Sequence, residues 1–135
     1  LSFALDYLKT NIDSVVIFSD FISFDETSRR NLSLISKRFE TVAVSVRDRL
    51  DYTFPDFKGE VVIEDPATNQ QLLVNPSVVK EAYEKIALAR EKELRETCLR
   101  FNIDLLELST EEPFVPFLAE FLKGRTKKKE GLGLK

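Results

Sequence analysis

Several residue types on which enzymes and metal proteins depend are missing from this sequence or rare in it. Histidine is absent, which removes the usual general base at neutral pH and the commonest metal ligand. The only cysteine is Cys98, so neither an intrachain disulfide nor a thiolate zinc site can form. No apolar run is as long as a membrane span, and no signal-peptide pattern is present. We therefore expect a cytoplasmic protein, with no membrane contact by this chain.

Basic charge is not in excess either, since 20 lysine and arginine residues face 23 aspartate and glutamate residues, for a net charge of −3. A protein that coats nucleic acid normally has a basic excess, so we expect no nucleic-acid partner. Methionine is absent and the first residue is Leu1, which suggests a piece of a longer protein. The 135 residues, 43% of them hydrophobic, predict one domain over 1–125 and a polar, flexible tail over 126–135.

Three continuous apolar runs predict the strands of a mainly parallel sheet. They occupy 15–18, 41–46 and 103–108, and segments with helical periodicity separate them. Runs of β-branched and aromatic residues without alternation are typical of strands that are buried on both faces. Two shorter runs, 60–64 and 71–74, flank turn residues and predict an inserted β-hairpin. The sequence therefore predicts a three-layer α/β fold.

Four helices are predicted around this sheet, over the ranges 1–8, 26–38, 77–101 and 113–124. Asp25 is a good N-cap for the second helix, and Asn75 or Ser77 caps the third. Gly124 is expected to end the fourth. If the strands add in sequence order, right-handed crossovers place the second and third helices on one face of the sheet. The first and last helices then cover the other face.

Asp20 is the first candidate for a functional residue. It follows a predicted strand at the carboxyl end, where α/β proteins place their ligand sites, and Ser19 beside it offers a hydroxyl group. Carboxylates, hydroxyls and waters are the ligands that hold a hard cation such as Mg²⁺. The alternative, which the residues alone favour, is that Asp20 caps a loop or the next helix.

Asp48 ends the second predicted strand and so lies at the same rim of the sheet as Asp20. Two carboxylates at one rim would suit a Mg²⁺ site for hydrolysis or phosphoryl transfer. The alternative is that Arg47, Asp48, Arg49 and Asp51 form a solvated cluster whose charges pair with one another. Surface pairs of that kind contribute little to stability.

Cys98 and Arg90 lie on the predicted apolar stripe of the third helix. Because no histidine is present to activate it, Cys98 is interpreted as a small buried hydrophobic residue. Arg90 is expected to extend its charged end to solvent, and the alternative is an ion pair with a carboxylate.

Four segments, taken in their order and spacing, resemble a known family. They are V-V-I-F-S-D-F (15–21), V-A-V-S-V-R-D (42–48), V-V-I-E-D-P-A-T (61–68) and L-S-T-E-E-P-F-V-P-F-L-A-E-F-L-K-G-R (108–125). Together they resemble the C-terminal half of a bacterial family of von Willebrand factor A-like proteins, the domain of unknown function numbered fifty-eight. The resemblance covers nearly all of residues 14–125.

This resemblance implies half of a von Willebrand A, Rossmann-like fold and a role in protein–protein interaction. Such proteins often occur beside MoxR-type AAA+ ATPases and are thought to act in assembling or activating other complexes. The metal-ion-dependent adhesion site of the wider class takes an Asp-x-Ser-x-Ser loop, a threonine and a later aspartate. Asp20 is the counterpart of that aspartate, although Phe21 stands where the class usually has glycine. The other loops would precede Leu1, so we expect a divalent cation such as Mg²⁺ in the intact domain and no cofactor in this chain alone.

Two main hypotheses about function follow. The first is a non-enzymatic interaction module that works with a MoxR-type AAA+ ATPase. The alternative is a Mg²⁺-dependent hydrolase or phosphotransferase that uses Asp20 and Asp48, and a third hypothesis is a scaffold whose metal site has decayed. We also expect Asp20 to reach solvent above buried residues 15–18, and the chain to self-associate through the free edge of that strand.

Overall fold

The computed structural model describes residues 12–55, 59–65 and 68–131. Its strands are β1 (Ser14–Ser19), β2 (Glu40–Arg47), β3 (Val61–Glu64), β4 (Gln71–Val74) and β5 (Asp104–Ser109). Its helices are α1 (Glu26–Ser36), α2 (Pro76–Arg100) and α3 (Phe114–Gly131), and a short 3-10 turn spans Arg49–Asp51. The helix predicted over 1–8 lies outside the described residues.

Strands β1, β2 and β5 form one parallel sheet, in the order β1-β2-β5. The register places Val16 beside Val42, and Val44 beside Leu106. Strands β3 and β4 form a separate antiparallel hairpin, inserted between β2 and α2. The predicted α/β fold with a mainly parallel sheet and an inserted hairpin is confirmed.

Helices α1 and α2 begin at the caps that the sequence predicts. The Asp25 carboxylate accepts a hydrogen bond from the Ser28 amide at 2.8 Å, and the Asn75 side chain accepts one from the Ser77 amide at 3.1 Å. Each bond satisfies an amide that has no partner within the first helical turn. Pro76 follows Asn75 at the start of α2, where its missing N–H group is not needed.

Helices α1 and α2 pack against the same face of the sheet, as the right-handed crossovers predict. Their side chains meet the neighbouring strand residues Ile17, Ala43 and Leu105. The buried members of this core are Phe21, Leu32, Ala43, Leu94, Cys98 and Ile103. Cys98 is thus the small buried residue that the sequence predicts, and Arg90 is exposed to solvent.

Helix α3 is attached to the opposite face of the sheet through a charged contact. Arg125 on this helix forms ion pairs with Glu40 of β2 and Asp104 of β5. Beneath this face, Val42 and Val44 in the central strand are buried. The helix therefore packs mainly on β5, with a charged contact to the first residue of β2.

The expectation that residues 15–18 are buried is wrong for every second residue of β1. Val16 and Phe18 are 53% and 63% exposed, whereas Val15 and Ile17 are partly buried. The physical reason is that β1 lies at the edge of the described sheet, while α3 packs at the other edge, on β5.

Helix α3 is longer than the sequence predicts. It continues through Gly124 to Gly131, so the predicted end at Gly124 is wrong, and residues 126–131 belong to the helix. Strong helix formers on both sides of Gly124 outweigh the roughly 1 kcal/mol that a glycine costs inside a helix. Within the described ranges, no helix has the length and apolar character needed to cross a membrane.

Candidate functional site

The carboxyl ends of the three parallel strands meet at one edge of the sheet, here called the C-terminal rim. It holds the polar pairs Ser19-Asp20, Arg47-Asp48 and Ser109-Thr110. The register sets Arg47 beside Ser109, and the Thr110 amide donates a hydrogen bond to the Arg47 carbonyl at 3.0 Å. Asp20 and Asp48 therefore share the rim on which the sequence predicted them.

Asp20 is exposed at this rim, as predicted, and its side chain closes a local turn. One carboxylate oxygen, Oδ1, accepts a hydrogen bond from the Ile22 amide at 3.1 Å. The Ser19 hydroxyl oxygen accepts one from the Phe21 amide, also at 3.1 Å. Such bonds let a short polar side chain replace a backbone turn. Both candidate ligands thus shape the loop that leads from β1 to α1.

Phe21 occupies a backbone position that favours glycine. Its φ angle is 52°, in the left-handed region, yet its side chain is only 4% exposed. The ring packs edge-on against Phe24, with the ring centres 6.0 Å apart. A left-handed residue with a side chain costs about 1–2 kcal/mol, and burial of an aromatic ring offsets that cost. The backbone of Phe21 therefore has a conformation that favours glycine, although the residue carries a large side chain.

Arg47 is buried at the centre of the rim, only 3% exposed, rather than solvated with its charged neighbours. Its Nε donates a hydrogen bond to the Asp20 carbonyl at 2.9 Å, and its guanidinium lies 5.4 Å from the centre of the Tyr52 ring. Burial raises the pKa of Tyr52, and the positive charge of Arg47 partly opposes that rise. The Nη2 atom of Arg47 is buried and has no hydrogen-bond partner among the described residues. The expectation of a fully solvated cluster is therefore wrong for Arg47.

Asp48 has a structural role at the rim. Its Oδ1 accepts from the Leu50 amide at 3.0 Å, and its Oδ2 accepts from the Thr110 hydroxyl at 2.8 Å. The Asp51 carboxylate in turn accepts from the Asp48 amide at 2.9 Å, which completes a capping box around the 3-10 turn. The hydrogen bonds from Leu50 and Thr110 lower the pKa of Asp48, and the bond from the Leu50 amide has the larger effect. Both carboxylate oxygens of Asp48 therefore accept hydrogen bonds from other residues of the chain.

The two aspartates do not form a complete cation site in the described part of the chain. There, no group of three or more Asp, Glu, His or Cys side chains is placed to hold a metal ion. An open cavity of about 200 Å³ lies beside Asp20, lined in part by Ser19, Ser23 and Ser28. The rim thus offers an exposed carboxylate and nearby serines, while Asp48 stabilises the adjoining turn.

The β3–β4 hairpin exposes apolar side chains on both of its strands. Cross-strand pairing sets Val62 opposite Leu73 and Ile63 opposite Leu72. These side chains are 59%, 59%, 38% and 64% exposed, in that order. At the turn end, the Gln71 amide group donates to the Glu64 carboxylate at 2.7 Å. The sequence predicted the hairpin but gave no sign that its apolar side chains stay exposed, because alternation cannot show what covers a strand.

The comparisons with known proteins point to one family. The family model described as protein of unknown function DUF58 matches residues 1–93, a range that contains β1 to β4, α1 and most of α2. No curated protein and no solved structure matches the chain.

Proposed function

This chain belongs to the DUF58 family of proteins of unknown function, and from that membership we propose that it is a protein–protein interaction module of the von Willebrand A type. Its proposed partner is a MoxR-type AAA+ ATPase, with which it acts in the assembly or activation of other proteins. It has no catalytic activity of its own in this proposal. The observation that supports an interaction role is the exposed apolar surface of the β3–β4 hairpin.

The exposed side chains lie on both faces of the hairpin. Opposite residues in an antiparallel pair share a face, so Val62 and Leu73 lie on one face, and Ile63 and Leu72 on the other. A two-stranded hairpin alone is marginally stable in water, and its strands normally pack against a helix or further strands. Contiguous exposed apolar surface of this kind typically marks a binding site for another protein.

A polar pair beside the apolar side chains of the hairpin supports this proposal. The hydrogen-bonded pair Glu64 and Gln71 provides polar groups at one end of the apolar pairs. Protein interfaces commonly combine an apolar centre with a polar rim that stays accessible to water. An exposed two-stranded apolar ribbon fits a groove on a partner protein better than it fits a small molecule, because small molecules bind in concave pockets.

The C-terminal rim is not assigned a cation-dependent step in this proposal. In a domain that binds a divalent cation such as Mg²⁺, Asp20 would supply one carboxylate ligand, with Ser19 lining the same cavity. The residues described here do not complete such a site, because Asp20 has no cluster of further ligands. Asp48 cannot serve as a second free carboxylate while it caps the 3-10 turn.

The proposal is tested by titrating the 135-residue chain with a purified MoxR-type ATPase in an isothermal calorimeter. One variant combines Val62→Ser with Leu73→Ser and removes the apolar pair from one face. The matched control combines Glu64→Ser with Gln71→Ser, which changes the neighbouring polar pair of the same hairpin. Circular dichroism of each variant shows whether the fold is retained.

We expect the apolar variant to bind at least tenfold more weakly than the control, since central apolar residues dominate interface energies. An unaltered chain that gives no binding heat with the ATPase, or equal affinities for the two variants, contradicts the proposal. Phosphatase or nuclease turnover that disappears in Asp20→Ala contradicts its non-enzymatic part.

A further inference from the structure

The two faces of the β3–β4 hairpin differ in chemistry. Side chains alternate along each strand, so the register assigns every residue of the hairpin to one face or the other. One face, here called the apolar face, consists of Val61, Ile63, Leu72 and Val74. The other, here called the mixed face, combines the apolar pair Val62 and Leu73 with the polar pair Glu64 and Gln71. Because both faces expose apolar side chains, a partner that covers one face leaves the other in water.

The turn between the two strands is held by its own hydrogen bonds. The Asp65 amide donates to the Gln70 carbonyl at 2.9 Å, and the Asn69 amide donates to the Asp65 carbonyl at 2.7 Å. The Asp65 carboxylate also accepts from the Thr68 hydroxyl at 2.9 Å. Asn69 has a φ of 55°, a left-handed value that asparagine tolerates better than most residues. A hairpin that is ordered before binding loses less conformational entropy when it enters a partner's site.

Negative charge is concentrated on the hairpin. Residues 59–75 contain Glu60, Glu64 and Asp65, and neither lysine nor arginine. The whole chain has 20 basic and 23 acidic residues, so the remainder of the chain has 20 of each sign. The hairpin segment therefore accounts for the entire net charge of −3. Such a segment attracts a positively charged surface, and two copies of it repel each other.

We infer that the hairpin inserts into a cleft of its protein partner that encloses both faces, and that basic side chains line the wall opposite Glu64. The inference rests on the proposed function and specifies the shape and charge of the partner's binding site. A flat partner surface would bury one apolar pair and leave the other exposed, whereas a cleft removes both pairs from water. The apolar face then meets an apolar wall, and the mixed face meets the wall that carries the basic groups.

The first test measures how fast single cysteines of the chain are alkylated, alone and in complex with a purified MoxR-type ATPase. Val62→Cys and Ile63→Cys, each in a Cys98→Ser background, place a thiol on opposite faces of the same strand. Leu99→Cys in that background is the control, because Leu99 is 84% exposed and lies at the end of α2 that is remote in sequence from the hairpin. Mass spectrometry of the chain's own peptides follows the reaction. We expect alkylation of both hairpin thiols to slow at least tenfold in the complex, with the control unchanged.

The second test measures the rate of association with the same ATPase by stopped flow. One variant combines Glu60→Gln with Glu64→Gln, which removes two of the three hairpin charges and keeps the side-chain size. The matched control combines Glu111→Gln with Glu112→Gln, two exposed carboxylates outside the hairpin. We expect the hairpin variant to associate at least threefold more slowly than the control at low salt. Added salt should reduce the difference, because mobile ions screen the attraction between exposed charges.

Protection of both hairpin thiols, together with slower association of the hairpin charge variant, supports the inference. Protection of only one thiol overturns the cleft, and equal association rates for the two charge variants overturn the basic character of its wall. Either of these results leaves the proposed binding to an ATPase intact. Protection that appears in the chain alone and rises with its concentration identifies a second copy as the occupant and also overturns the inference. A chain that does not bind the ATPase overturns the proposed function and this inference with it.

Discussion

At the scale of a single residue, Arg47 connects strand β2 with the Asp20 main chain and the Tyr52 ring. Its buried guanidinium holds the Asp20 main chain through Nε and lies over the Tyr52 ring. We expect Arg47→Ala to lower the free energy of unfolding by about 2–3 kcal/mol, since it removes a charge-assisted hydrogen bond and the packing of the long side chain. Urea denaturation of the variant and the unaltered chain measures this difference.

Two further substitutions separate the contributions of Arg47. Arg47→Met keeps much of the side-chain volume and removes the Nη2 atom, which has no partner among the described residues. We therefore expect Arg47→Met to lower the free energy of unfolding by less than Arg47→Ala does. Arg49→Ala changes an exposed neighbour and should stay within about 0.5 kcal/mol of the unaltered chain. Equal losses for Arg47→Ala and Arg49→Ala would show that the buried guanidinium does not stabilise the rim.

Asp48 makes stability depend on pH in a defined direction. Hydrogen bonds from Leu50 and Thr110 lower its pKa in the folded chain below the ordinary value of 3.8. A lowered folded pKa means that the contribution is complete above the unfolded value and is lost as pH falls through the folded value. We expect Asp48→Asn to be less stable than the unaltered chain at pH 6, with the difference shrinking below pH 3.8. A difference that stays constant down to pH 2 would contradict this assignment.

The positions of Asp20 and Asp48 could be predicted from the sequence, because each directly follows an apolar strand. The burial of Arg47 could not be predicted in the same way. It stands among alternating charges, a pattern typical of a solvated surface, and the ring that covers it belongs to Tyr52 in a later turn. Similarly, the residue type of Phe21 does not indicate its left-handed backbone, because bulky residues seldom adopt that conformation.

Helix α2 is the element whose packing is most directly testable, because it contains the only cysteine. Burial, and to a smaller extent the negative charge of Glu107, raises the pKa of Cys98 to about 11. A thiol with this pKa forms roughly a hundredfold less thiolate at pH 8 than a thiol of pKa 9. We expect Cys98 to react with a thiol reagent at least a hundredfold more slowly in the folded chain than in guanidinium chloride.

The matched control for this element moves the thiol by one residue. Leu99→Cys in a Cys98→Ser background places a cysteine at a position where the native side chain is 84% exposed. That thiol should react at nearly the same rate in the folded and unfolded chain. Equal protection of both positions would mean that the reagent reports slow unfolding and not the face of α2.

Strands β1 and β2 show why element type is easier to predict than burial. Both are continuous apolar runs, and both form as predicted, yet β2 is covered on both faces and β1 exposes Val16 and Phe18. Their place in the sheet decides the difference, and a run of apolar residues contains no information about that place. The predicted end of α3 is wrong for a related reason. Gly124 is a local stop signal, and the helix-forming residues on both sides of it continue the helix to Gly131.

At the scale of the whole molecule, the three parallel strands add in sequence order, which is the condition under which the helix positions were predicted. With that order, right-handed crossovers place α1 and α2 on one face of the sheet. Among the described residues, the β3–β4 hairpin and one side of β1 expose apolar side chains to solvent. The hairpin is the surface that we propose as the contact for a protein partner.

The central claim, that the hairpin is the contact surface for a MoxR-type ATPase, is tested most directly by hydrogen–deuterium exchange of the chain alone and in the complex. An exposed two-stranded hairpin should exchange quickly in the free chain. The account predicts that peptides from β3 and β4 become protected in the complex, while peptides from the buried strand β2 exchange unchanged. A complex that forms with hairpin exchange unaltered would contradict it.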